Sequence, residues 1–121
     1  MKATRPSKSR LLPRLRVLYG EDIALGPGKV DLLALIASTG SIRQAADRMS
    51  MSYMRAWKLI KTMNACFKQP VVEAARGGRA HGGAVLTETG RKALKFYQEM
   101  ETTCLKAVKP QWQGLQSLLN A

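Results

Sequence analysis

The chain has 121 residues, with twenty Lys and Arg against eight Asp and Glu, a formal charge of +12. So short a chain closes one modest core, and it has neither an apolar run of about 18 residues to cross a membrane nor the leader pattern of a secreted protein. The cation excess sets up a field that favours polyanions, nucleic acid before an anionic membrane surface.

Residues 1–13 contain Lys2, Arg5, Lys8 and Arg10, no acid and two prolines. Without periodicity to bury, they are expected to form a disordered basic arm that can lie along a phosphate backbone. From Leu15 to Leu25 a hairpin is expected: Leu15, Val17 and Tyr19 alternate with Arg16 and Leu18, and Gly20-Glu21-Asp22 supplies a turn before Ile23-Ala24-Leu25.

Gly26-Pro27-Gly28 breaks that segment and opens a helix. Val30, Leu33, Ile36 and Ala37 recur at helical spacing until Thr39-Gly40 stops the run. Ser41, three residues before Gln44, is a capping-box start for a short helix with Ile42, Ala45, Ala46 and Met49 on its apolar stripe. Ser52 then caps a longer helix from Tyr53 to about Phe67, with Ala56, Leu59, Ile60, Met63 and Phe67 on one face. Trp57 and Phe67 are expected to pack in the core, and Pro70 prevents the helix from continuing.

Val71–Ala75 and Ala84–Leu86 read as strands around the glycine-rich loop RGGRAHGG at 76–83. Thr87 caps a last long helix, Glu88 to about Val108, whose acid in the first turn suits the helix dipole. Pro110 ends it, and Trp112, Leu115, Leu118 and Leu119 leave room for a short amphipathic tail or helix.

The two central helices carry the functional signal. Small Ala45 and Ala46 allow a second helix to cross closely, and Ser50-Met51-Ser52 makes the tight turn between them. That is the helix-turn-helix pattern, whose second helix enters the major groove and reads base edges from its first turns. Arg55 is placed to donate two hydrogen bonds to guanine O6 and N7. Ser52 and Tyr53 at the helix start reach phosphate or base edges, and Lys58 and Lys61 reach phosphate. Ser41, Arg43 and Met54 complete the contact set on these helices. Arg76 and Arg79 sit at the tip of a cationic wing suited to backbone or a narrow minor groove.

Other chemistries find less support. The glycine loop lacks a following Lys-Ser or Lys-Thr and leads into a strand, unlike a nucleotide-phosphate cradle. Cys66, Cys104 and His81 are too scattered for a metal site, so no metal and no cofactor is expected, and two buried thiols in a reducing cytoplasm are. His81 has no nucleophile or carboxylate at a recognisable spacing, which argues against an enzyme. Two alternatives stay open: a basic nucleic-acid-binding or architectural protein without sequence choice, and a module that holds a protein partner through Trp112–Leu119.

The segments Gly26-Pro27-Gly28, LLALIASTGSIRQAADRMSMSYMRAWKLIKTMN and PVVEAARGG with GGAVLTETGRKAL closely resemble the N-terminal DNA-binding domain of the ModE-type, molybdate-responsive regulators. They are more distantly similar to LysR-type regulators. The resemblance implies a winged helix-turn-helix of mainly α, small β (α+β) class, with an N-terminal hairpin, acting as a homodimer on a two-fold symmetric double-stranded DNA operator. It further implies a domain over 14–86 and a dimerisation helix over 87–109, with a tail at 110–121. On that helix Leu94, Tyr97, Glu101, Leu105 and Val108 approximate a heptad-like seam. The likeness covers about residues 14–108 and does not reach the oxyanion-binding domains of ModE-type regulators. Molybdate sensing is therefore not carried over, and the effector is left unassigned.

Overall fold

Glycine and proline punctuate the N-terminal third where the sequence places them. The computed structural model describes residues 8–75 and 83–120. In it, strand β1 (Val17–Tyr19) pairs antiparallel with β2 (Asp22–Leu25). Gly20, at φ 62, makes the turn in the left-handed region that glycine enters without steric cost. The expected in–out alternation of β1 is absent, since Val17, Leu18 and Tyr19 are all exposed. Only β2 reaches the core, through Ala24 and Leu25.

Helix α1 (Pro27–Thr39) begins with Pro27 in its first turn, where the missing N–H is no loss. Gly40, at φ 70, ends it, with its N–H donated to the Ile36 carbonyl at 2.8 Å. Val30, Leu32, Leu33 and Ile36 are buried, whereas Ala37, expected on that stripe, is exposed because it lies one step beyond Ile36 on the outer face.

Helix α2 (Ile42–Arg48) starts as the capping pattern predicts, with Ser41 Oγ accepting the Gln44 N–H at 3.0 Å. Ala45 and Ala46 are buried and lack the bulk that would hold neighbouring helices apart. Ser50 carries the following turn at φ 56, a region that costs a non-glycine L-residue roughly 1–2 kcal/mol. Ser50→Gly is therefore expected to stabilise the fold by about 0.5–1 kcal/mol after the entropy that glycine adds to the unfolded chain. The check is a higher urea midpoint at unchanged slope; a lower midpoint would show that the serine side chain does more than tolerate the turn.

Helix α3 (Tyr53–Cys66) buries Ala56, Ile60 and Met63, and Ser52 Oγ caps it by accepting the Arg55 N–H at 3.1 Å. Phe67 sits at its C-cap, packed against the edge of the core. Asn64 ties α3 to the next strand: its Oδ1 accepts the N–H groups of Val71 at 2.7 Å and Val72 at 3.3 Å, and its Nδ2 donates to the Val72 carbonyl at 3.2 Å.

Strands β3 (Val72–Ala74) and β4 (Ala84–Leu86) pair antiparallel, with Glu73 opposite Val85. The base of this second hairpin is anchored to the α1–α2 turn, because Ala84 N–H donates to the Gly40 carbonyl at 3.0 Å and Ser41 bridges Gly83. The architecture is a winged helix-turn-helix.

Helix α4 (Glu88–Ala107) is capped by Thr87, whose Oγ1 accepts the Gly90 N–H at 2.9 Å and donates to the Pro70 carbonyl at 2.6 Å. Gly90 lies against backbone: a Cβ there would stand 2.1 Å from the Val71 carbonyl oxygen. Pro110 does end α4, but by opening a further helix, α5 (Lys109–Gln116), in whose first turn it sits. A single core joins Leu25, the buried faces of α1, α2 and α3, the wing strands, and Ala93 and Tyr97 of α4.

Two further expectations need revision, one for the N-terminal arm and one for the cysteines. Residues 8–13 were expected within a disordered arm, yet Leu11 and Pro13 line an apolar hollow with Cys104, Val108 and Trp112, and Gln116 Nε2 donates to Ser9 Oγ at 3.0 Å. Their leucines have an apolar surface to meet only once α4 and α5 exist. Cys66 and Cys104, expected buried, are partly exposed free thiols.

Candidate nucleic-acid interface

The buried line Ala56–Ile60–Met63 fixes which side of α3 faces out. Met54, Lys58 and Lys61 lie opposite it, with Arg55 on one flank and Trp57 on the other. Arg55, Lys58 and Lys61 are exposed, and Met54 is 59% exposed. Among the described residues the one ion pair is Lys92–Glu88 on α4, at 3.5 Å, so no carboxylate neutralises the α3 cations.

Ser52, exposed at the helix start, uses its oxygen as the helix cap, a bond that leaves its hydroxyl proton able to donate. Ser41 is likewise committed to its cap and stands at the root of the wing beside Gly83. Arg43, exposed on α2, holds its guanidinium carbon 5.0 Å from the Tyr53 ring centroid, which places it beside the start of α3. Arg43, Ser52, Tyr53, Met54, Arg55, Lys58 and Lys61 thus share the α3 face and its flank. Arg76 and Arg79 lie outside the described residues.

Trp57 corrects the sequence reading. Expected in the core, it is 41% exposed and carries the Lys61 ammonium 5.2 Å above its ring centroid. Residue 57 follows buried Ala56 by one helical step of about 100°, which carries its indole off the buried line toward the wing. Ring-seated cations of this kind are worth about 0.5–1 kcal/mol each at exposed sites. Tyr53, Trp57 and Lys61 border a shallow hollow of about 350 Å³ between α3 and the wing strands, in which Glu73 is the one acid.

On α4 the expected seam divides. Tyr97 is not free to meet a partner: it is fully buried, and its hydroxyl donates to the Leu15 carbonyl at 2.7 Å. Burial, with Glu101 nearby, pushes its phenol pKa above the ordinary value, keeping that proton in place. Leu94 packs against the same core, while Glu101 and Val108 are half-buried. Leu105 is exposed, together with two apolar residues the heptad reading passed over, Phe96 at 62% and Met100 at 45%. The i, i+4 spacing of Phe96 and Met100 is the signal in the sequence that marks this outward stripe.

Residues 28–91, from α1 into α4, match the family of bacterial regulatory helix-turn-helix proteins, lysR family. The chain belongs to this LysR-type helix-turn-helix family. The chain is similar to the molybdenum-pterin-binding protein MopB of Rhodobacter capsulatus, 45% identical over 90 residues that cover 74% of this chain and 33% of that protein. It is similar also to the molybdenum transport protein ModE of Azotobacter vinelandii, 37% identical over 93 residues, 77% of this chain and 34% of that one. The chain spans about a third of the length of these curated relatives. A crystal structure of the CbnR DNA-binding domain with DNA superposes with a TM-score of 0.57 at 17% identity, covering 73% of this chain and 95% of that one, a likeness of fold. Among the described residues, no helix of this LysR-type chain is long and apolar enough to cross a membrane.

Proposed function

We propose that the chain is the DNA-reading unit of a bacterial transcription regulator, binding a two-fold symmetric double-stranded operator as a homodimer. The observation that carries this is the outward face of α3, where Arg55, Lys58 and Lys61 stand exposed and unpaired behind a capped helix start. In this reading α3 lies in the major groove, Arg55 reads a guanine edge, and Lys58, Lys61 and Arg43 hold flanking phosphates. The wing, with Arg76 and Arg79, reaches backbone beyond the groove.

Selection from a random duplex library tests it. An inverted repeat with half-sites about one helical turn apart is the expected product. Recovery of no motif, with affinity set by salt alone, would leave a general nucleic-acid binder instead. On the selected site Arg55→Ala is expected to lose about 1–3 kcal/mol of discrimination, roughly 5- to 150-fold, whereas Lys61→Ala weakens all sequences alike. Unchanged specificity in Arg55→Ala would remove the base-reading role from that residue.

The pairing surface supported best is the exposed apolar face of α4 that carries Phe96 and Met100. A charge at its centre opposes burial, so Phe96→Glu should shift the chain to monomer in sedimentation while leaving thermal unfolding of the protomer near that of the parent. A dimer that survives this change pairs elsewhere.

A further inference from the structure

We propose that Tyr53 and Trp57 form an aromatic ridge that seats Arg43 and Lys61 as a pre-ordered pair of phosphate contacts, a role that rests on the duplex-binding reading above. Tyr53 and Trp57 are four residues apart and therefore neighbours on one side of α3, the side that borders the wing. The two cations arrive from different elements, Arg43 from α2 and Lys61 from the next turn of α3. Each sits over one ring, at 5.0 and 5.2 Å.

Packing does not account for the ridge. Trp57 is 41% exposed, although it is the largest side chain on a helix whose buried line holds only Ala56, Ile60 and Met63. What its ring does touch is a charge. An exposed lysine samples many rotamers, and a phosphate contact must select one of them. Seating the ammonium on the indole makes that selection before DNA arrives and keeps Lys61 off Glu73, the acid bordering the same hollow, with which it forms no ion pair. One face of each cation meets the ring, and its remaining N–H donors stay free for phosphate oxygens. Tyr53 and Trp57 are thus positioning residues that act through Arg43 and Lys61.

The test uses the full chain and a labelled duplex of random sequence, since phosphate contacts do not depend on sequence. Salt titrations are run on the parent, Lys61→Ala, Trp57→Leu, Trp57→Phe, and Lys61→Ala combined with Trp57→Leu. Lys61→Ala is expected to lower the salt slope by about one for each protomer bound. Trp57→Leu keeps apolar bulk but has no π face, and should lower the slope as Lys61→Ala does. Adding Lys61→Ala to it should then change nothing further. Trp57→Phe keeps a π face and should retain most of the parent slope. A parent-like slope in Trp57→Leu, or a full additional loss on adding Lys61→Ala to it, overturns the ridge while duplex binding stands. A parent that binds no duplex overturns both. If circular dichroism shows Trp57→Leu unfolded, the same cycle with Tyr53→Leu and Arg43→Ala decides by the same criteria.

Discussion

Raising monovalent salt from about 50 to about 200 mM is expected to weaken duplex binding by roughly three to five orders of magnitude. Arg43, Lys58 and Lys61, the cations assigned to phosphate, are exposed on the candidate interface and unpaired by acids, and a two-fold dimer doubles them. Six neutralised phosphates release enough counterions for a slope near −5 in log affinity against log salt, at about 0.9 per phosphate. Anisotropy titrations at four or more salt concentrations measure that slope directly. A slope shallower than about −3 would mean that most of these cations never meet phosphate, and the placement of α3 on DNA would fail with it.

Gly90→Ala is expected to destabilise the fold by about 3 kcal/mol or more, at the upper end of what overpacking costs. The methyl group would stand 2.1 Å from the Val71 carbonyl oxygen and 2.9 Å from its carbon, atoms of backbone that cannot rotate aside. The same carbonyl accepts the Thr87 N–H at 3.0 Å, and Val71 N–H is held by Asn64, so shifting the segment would break both attachments. For a domain of this size the loss corresponds to a drop in Tm on the order of 12 °C or more. A thermal scan of Gly90→Ala that overlays the parent would contradict the close approach of α4 to the wing strand.

The elements that were legible in the sequence are those written in local chemistry. Ser41, Ser52 and Thr87 each cap the helix they were expected to cap, and Gly40 stops α1 in the left-handed region. Short-range signals of this kind need no partner element. Side-chain placement at the margins of a helical stripe does need one. Ala37 and Trp57 lie one residue from buried Ile36 and Ala56, and a step of about 100° leaves their side to be settled by what packs alongside. Tyr97 and Phe96 are adjacent, and either could begin an apolar seam until Leu15 arrives to cover one of them. Leu11 belongs to no periodic run, and the alternation that includes Leu15 points only to a hairpin, so nothing local shows that the two rest on α4 and α5. Pro110 marks a boundary without saying whether a helix follows.

The bond from Tyr97 to the Leu15 carbonyl joins residues 82 positions apart in the chain. On a ribosome adding about 5–20 residues per second, Leu15 leaves the exit tunnel roughly 4–16 seconds before Tyr97 can reach it. In the later part of that interval the recognition helix and its turn are outside, while the aromatic side chain that completes the core is still inside. The nascent chain therefore presents an unfinished apolar surface for seconds, long enough for a holdase chaperone to engage it. Closure of the core waits on the arrival of α4, so any slowing of synthesis before Tyr97 emerges lengthens the time for which the chain is open to capture or aggregation.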